Sequence, residues 1–138
     1  MNVSQIITGA INKGACVQSS KATDWKSLVW LFFSPQGREF CRDNNYPSIE
    51  LFRSMKQYVE PYGVFVENPV EKCNEDIALI GESDNILHYD GVDKAYKVIL
   101  MHGARAKIYI RNYSVVRIEN ISGSYEIINV DKTGEALI

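Results

Sequence analysis

Two histidines, three cysteines and a short run of alternating cations and tyrosines are the side chains through which this chain could do chemistry. His102 stands beside Gly103 directly after the apolar run Val98–Met101, a strand-end position where an imidazole can be exposed. A general base there needs a carboxylate to orient it and a group to deprotonate. Neither stands nearby in sequence, so His102 is the catalytic candidate of a small hydrolase or transferase that would recruit His88 or Cys41 through the fold. His88, Asp90 and Asp93 offer nitrogen and oxygen donors close together. Their i, i+2, i+5 spacing matches no metal motif, and Asp90-Gly91 is a turn signature. A turn is expected there, and no metal.

The cysteines, Cys16, Cys41 and Cys73, are odd in number, widely spaced and free of any C-x-x-C pair. Neither a disulfide framework nor a zinc site is expected from them, and a reducing compartment suits them. Cys41, between Phe40 and Arg42, reads as a buried small hydrophobe. No G-x-S-x-G elbow, Walker A run or G-x-G-x-x-G is present, so no cofactor is expected.

Lys107, Tyr109, Arg111, Tyr113 and Arg117 lie along the solvent side of the expected strands, where they could stack bases and contact phosphates. Glu119 and Glu126 dilute the set, and the net charge of −2 gives no general pull toward a polyanion. An ordinary wet sheet face is the expectation, and nucleic acid is not an expected partner. Trp25 and Trp30 with Phe32 and Phe33 offer an aromatic cluster of the kind that marks protein contacts. Their helical spacing predicts core instead, with a helix this apolar buried centrally or meeting a second copy of the chain.

The elements that must position these residues fall into two groups. Val3, Ile6, Ile7, Ala10 and Ile11 form one helical stripe that Gly14 can end. Thr23 or Asp24 caps a second helix carrying Trp25, Leu28, Val29 and Phe32. Ser34-Pro35 opens a third through Phe40 and Cys41, and Ser48 opens a fourth that runs to about Gln57 before Pro61 and Gly63 stop it. Beyond come the strand candidates Val64–Val66, Ile77–Ile80, Asn85–Asp90 and Val98–Met101, with Glu67–Asp76 read as a loop. Four β-branched runs complete the chain, Ala106–Ile110, Val115–Glu119, Tyr125–Val130 and Glu135–Ile138, separated by small polar turns.

Helix signals and strand signals are thus segregated, which predicts an α+β chain: a helical part over 1–60 and an all-β domain over 61–138. Alternation places Ala106, Ile108, Ile110, Val116 and Ile118 inside and Lys107, Tyr109, Arg117 and Glu119 outside. Two closures fit, an antiparallel meander or a β-solenoid with small residues such as Gly103, Ala104, Ala106 and Ser114 at its corners. The longest apolar stretch, Leu28–Phe33, is too short to span a bilayer, and no leader precedes it. A cytoplasmic protein is expected.

Several phrases of the chain, Phe33-x-x-x-Gly37-x-x-Phe40-Cys41, Asn45-Tyr46-Pro47-Ser48, Tyr62-Gly63-Val64-Phe65-Val66 and Val98 through Ile108, resemble a group of small uncharacterised bacterial proteins often associated with prophages and mobile elements. The resemblance covers most of the chain and implies a cytoplasmic, mobile-element setting. It carries over no activity and no site residue. The functional expectation is therefore a non-catalytic structural or protein-interaction module, with the His102 enzyme and the nucleic-acid-binding sheet face as alternatives. An open edge at Glu135–Ile138 and the apolar surface of the Trp25 helix predict homo-oligomer formation alongside a protein partner.

Overall fold

A computed structural model describes residues 2–15 and 22–138; Cys16 lies outside the described residues. The chain divides into two compact units, Met1–Val64 and Phe65–Ile138.

In the first unit each helix starts where a side-chain oxygen meets an orphan backbone N–H. Helix α1 (Val3–Asn12) begins at a reciprocal pair in which Asn2 Oδ1 accepts from Gln5 N at 3.0 Å and Gln5 Oε1 accepts from Asn2 N at 2.9 Å. Helix α2 (Trp25–Phe33) is capped by Asp24, whose Oδ1 accepts from Ser27 N at 2.7 Å. Ser34 accepts from Gly37 N at 3.1 Å to open α3 (Pro35–Asn44), and Ser48 accepts from Leu51 N at 3.2 Å to open α4 (Ile49–Val59). The fourth helix runs two residues past the expected Gln57, because Pro61 is accommodated in a following single turn, Glu60–Tyr62, before Gly63.

The second unit is a parallel β-solenoid. Strands β1 (Val64–Val66), β3 (Ile77–Ile80), β5 (Ala95–Met101), β7 (Val115–Asn120) and β9 (Glu135–Leu137) form one sheet, in that order. Strands β2 (Glu71–Cys73), β4 (Asp84–Tyr89), β6 (Arg105–Ile110) and β8 (Ser124–Asn129) form the other. Ala95 pairs with Val115 and Val115 with Glu135, so one coil takes about 20 residues. The meander is overturned: from β2 to β9 each strand pairs in parallel with the strand two further on. The physical reason lies at the corners. Between Met101 and Arg105 the chain passes through His102 (φ 56) and Gly103 (φ 89) and enters the opposite sheet, so consecutive strands face each other across a core and do not lie side by side. Strand β2 also lies within the stretch expected to be a loop. Glu71-Lys72-Cys73 has no apolar alternation, and only its pairing with β4 makes it a strand.

Side chains stack from coil to coil. Leu87, Ile108 and Ile127 form one column, and Ile77, Val98 and Ile118 another. Ala106, Ile108, Ile110, Val116 and Ile118 are all buried, while Lys107 and Arg117 are exposed. Strands β3 and β5 are different. Ala78, Ile80, Ile99 and Met101 are as buried as the inward residues they alternate with, which accounts for the unbroken apolar runs there.

Polar side chains tie the coils together along one corner. Asn74 Oδ1 accepts from the backbone N–H of Asp90 and of Gly91, Asn112 Nδ2 donates to Asp90 O, and Asn112 N donates to Asp131 Oδ2. Bonds from Thr133 and from the Asn112 N–H hold the Asp131 carboxyl below the ordinary range. Ser114, at the same corner, is fully buried, and among the described residues its Oγ has no hydrogen-bond partner. Replacing Ser114 by Ala is expected to raise stability by about 1 kcal/mol, since an unsatisfied buried hydroxyl is removed. A lower midpoint in urea unfolding would contradict this.

Candidate functional site

The sequence-derived basic and aromatic set does not share one surface. Lys107 and Tyr109 lie on the outer side of β6, Arg117 on β7 in the opposite sheet, and Arg111 and Tyr113 in the corner joining them. Tyr113 is 72% exposed at φ 61, and its backbone N–H donates to Thr133 Oγ1 at 2.8 Å. The expected continuous face is thus broken at the corner between β6 and β7, where the chain passes from one sheet to the other. On its own sheet Lys107 stands between Ile86 and Glu126 in register, and Arg105 Nε binds Asp84 Oδ1 at 2.6 Å. Positive charge on this face is met by carboxylates of neighbouring coils. Arg105 accordingly holds the Asp84 carboxyl below its usual value.

Tyr109 has a specific environment. Its ring stacks on His88 with centroids 5.1 Å apart, and His88 Nε2 lies 3.0 Å from Glu71 Oε2. Cys73 is the register neighbour of His88 and is exposed. His88 therefore pairs toward β2 and not toward Asp90 and Asp93, as the metal constellation would need. Asp90 takes part in the corner described above, and Asp93 Oδ1 accepts from Tyr96 OH at 3.0 Å. Among the described residues no group of three or more His, Cys, Asp or Glu side chains is placed to hold a metal ion. His102 is half-buried in its corner, where its backbone N–H donates to Ser122 Oγ at 2.7 Å and Gly103 N donates to Ser122 O at 2.7 Å. These bonds give the residue a part in shaping the turn.

The helical unit holds what the spacing of residues did not reveal, an apolar cavity of about 370 Å³. Its wall draws on all four helices, with Ile7 and Ala10 from α1, Val29 and Phe32 from α2, Cys41 from α3 and Met55 from α4. The elements around it are joined by specific ties. Tyr46 OH donates to Ile6 O at 2.8 Å across the unit, and Phe32 packs edge-on against Phe52 with centroids 6.1 Å apart. Comparison of the chain with protein-family models, curated proteins and solved structures finds no match.

The polar members of the wall come from one helix. Gln36, Glu39, Asp43 and Asn44 of α3 are exposed at the cavity's edge, and among the described wall residues no Lys, Arg or His side chain joins them. The cations of α3 are engaged elsewhere or shared: Arg38 Nη1 donates to Phe33 O at 2.9 Å, and Arg42 Nε lies 3.4 Å from Asp43 Oδ1.

Helix α2 also departs from expectation. Only Val29 and Phe33 of its nine residues are buried, Trp25 stacks on Tyr58 with centroids 5.1 Å apart, and Trp30 is 75% exposed. The helix is not buried centrally. Among the described elements α3 and α4 pack against it, and Trp30 lies outside those contacts in solvent. None of the described helices is long and apolar enough to cross a membrane.

Proposed function

We propose that this chain is a non-catalytic protein-interaction module, in which a β-solenoid gives a rigid framework and α2 of the helical unit supplies the docking element. The observation that carries this reading is Trp30, an indole three-quarters exposed on an ordered helix. Tryptophan is rarely left in water at that level and is the side chain most enriched among residues that dominate protein–protein binding energy. A second copy of the chain or a different protein can bury it equally well. The solenoid supports the module reading through its outer face, where Arg105 of one coil pairs with Asp84 of the coil before it.

The test uses peptides selected by display on the intact chain and Trp30→Ala as the variant. Trp30 makes little contact with its own chain, so the fold is expected to survive with an unchanged circular dichroism spectrum. Selected peptides are expected to lose at least about tenfold in affinity, the loss typical of removing an aromatic anchor. Peptides that bind both proteins equally would show that α2 is not the docking element. Light scattering over a hundredfold dilution separates the two partners: a mass that falls on dilution and is monomeric in Trp30→Ala identifies a second copy.

A further inference from the structure

We infer that the cavity of the helical unit is a binding site for a small hydrophobic amine, whose alkyl or aromatic body fills the space between the helices while its protonated nitrogen stays at the edge beside Glu39 and Asp43. Three observations lead there. The volume, about 370 Å³, lies within the range of small-molecule sites and holds about a dozen methylene-sized groups. The deep wall is aliphatic, aromatic and sulfur-containing, with Val29, Cys41, Phe52, Met55 and Val59 all buried. The one phenol in the wall, Tyr46, is already committed to the Ile6 carbonyl, so the interior asks for an apolar body.

Charge at the edge then selects the head group. Glu39 makes no hydrogen bond or ion pair among the described residues, and Asp43 shares its charge only with the exposed guanidinium of Arg42. With two carboxylates and no cation among the described wall residues, a fatty acid or other anion would be repelled, and an ammonium attracted. The head group keeps its water because these carboxylates are exposed, so it avoids the penalty of burying a charge. This site is independent of the Trp30 surface, which is not part of the cavity wall.

The experiment is titration calorimetry on the full chain with decylammonium, decanoate and 1-decanol, all below their micelle concentrations. Saturable one-to-one binding of decylammonium is expected, at least tenfold tighter than decanoate and tighter than decanol. In the double variant Glu39→Lys/Asp43→Lys, which alters exposed positions only, the order of decylammonium and decanoate is expected to reverse. Ala10→Phe, which places a ring in the cavity, is expected to abolish binding of all three. If Ala10→Phe does not fold, the charge reversal still decides. Equal affinity for the three probes, an order unchanged by charge reversal, or no saturable binding of any would each overturn the inference. So would a chain whose dimer dissociates on adding decylammonium, since the occupant would then be a second copy. Trp30→Ala is expected to bind decylammonium like the unaltered chain, so this site and the docking surface fail or stand separately.

Discussion

Replacing Ile108 by Ala is expected to destabilise the solenoid by about 2–5 kcal/mol, while Lys107→Ala changes stability by less than about 0.5 kcal/mol. Ile108 is fully buried and sits between Leu87 and Ile127 in the central column of the core. Removing its branched side chain opens a void that the columns above and below cannot close. Each is held in place by the parallel ladder hydrogen bonds of its own coil, so the loss exceeds the transfer free energy of the deleted carbons. Lys107, one residue away, points to solvent beside Glu126, and an exposed pair of this kind contributes little. Urea unfolding followed by circular dichroism near the β-sheet minimum measures both. Equal shifts at the two positions would mean that inward and outward faces of β6 had been exchanged.

Asn85→Ala is expected to cost about 2–4 kcal/mol, comparable to losing a core isoleucine although the residue is polar. Asn85 is 3% exposed and ties three successive coils. Its Oδ1 accepts from Val70 N at 3.0 Å, and its Nδ2 donates to Ser83 Oγ at 2.9 Å and to Arg105 O at 3.0 Å. Alanine would leave the Val70 N–H and the Arg105 carbonyl short of a partner at once, and each unmade buried hydrogen bond carries a desolvation penalty. Asn85→Asp separates this network from simple packing. It keeps the shape and the bond from Val70 but cannot donate to Ser83 or Arg105 and would bury a charge. The same urea transitions are expected to show Asp no better than Ala; full recovery with Asp would assign the effect to volume and the Val70 bond, and not to the bonds that Nδ2 donates.

Much of the local structure was legible from residue types. Asp24, Ser34 and Ser48 announce helix starts, because a short side-chain oxygen before an apolar stripe satisfies N–H groups that no helical carbonyl can reach. The alternation in Ala106–Ile110 and Val115–Glu119 shows which residues face the core, because a strand points successive side chains to opposite sides whatever it pairs with. Strand β2 was not legible: three residues, Glu71, Lys72 and Cys73, carry no period, and β4 alone makes them extended. Trp30 misled for a related reason. On a helix apolar at seven of its nine positions, the period cannot tell which side the neighbours will cover, and Trp30 falls where the described residues leave it exposed.

By itself, the sequence determined the elements, their caps and the inward set of the later strands, since these depend on hydrogen bonds and side-chain directions within a few residues. Tertiary structure decided which strands pair, and that single choice split Lys107 and Tyr109 from Arg117 and set Tyr109 against His88. It also decided the cavity between Ile7, Phe32, Cys41 and Met55, four residues with no shared spacing. Meander and solenoid demand the same alternation from each strand, and a space between helices belongs to no one of them. Both are set by the closing of loops and the excluded volume of distant side chains, which no local pattern records.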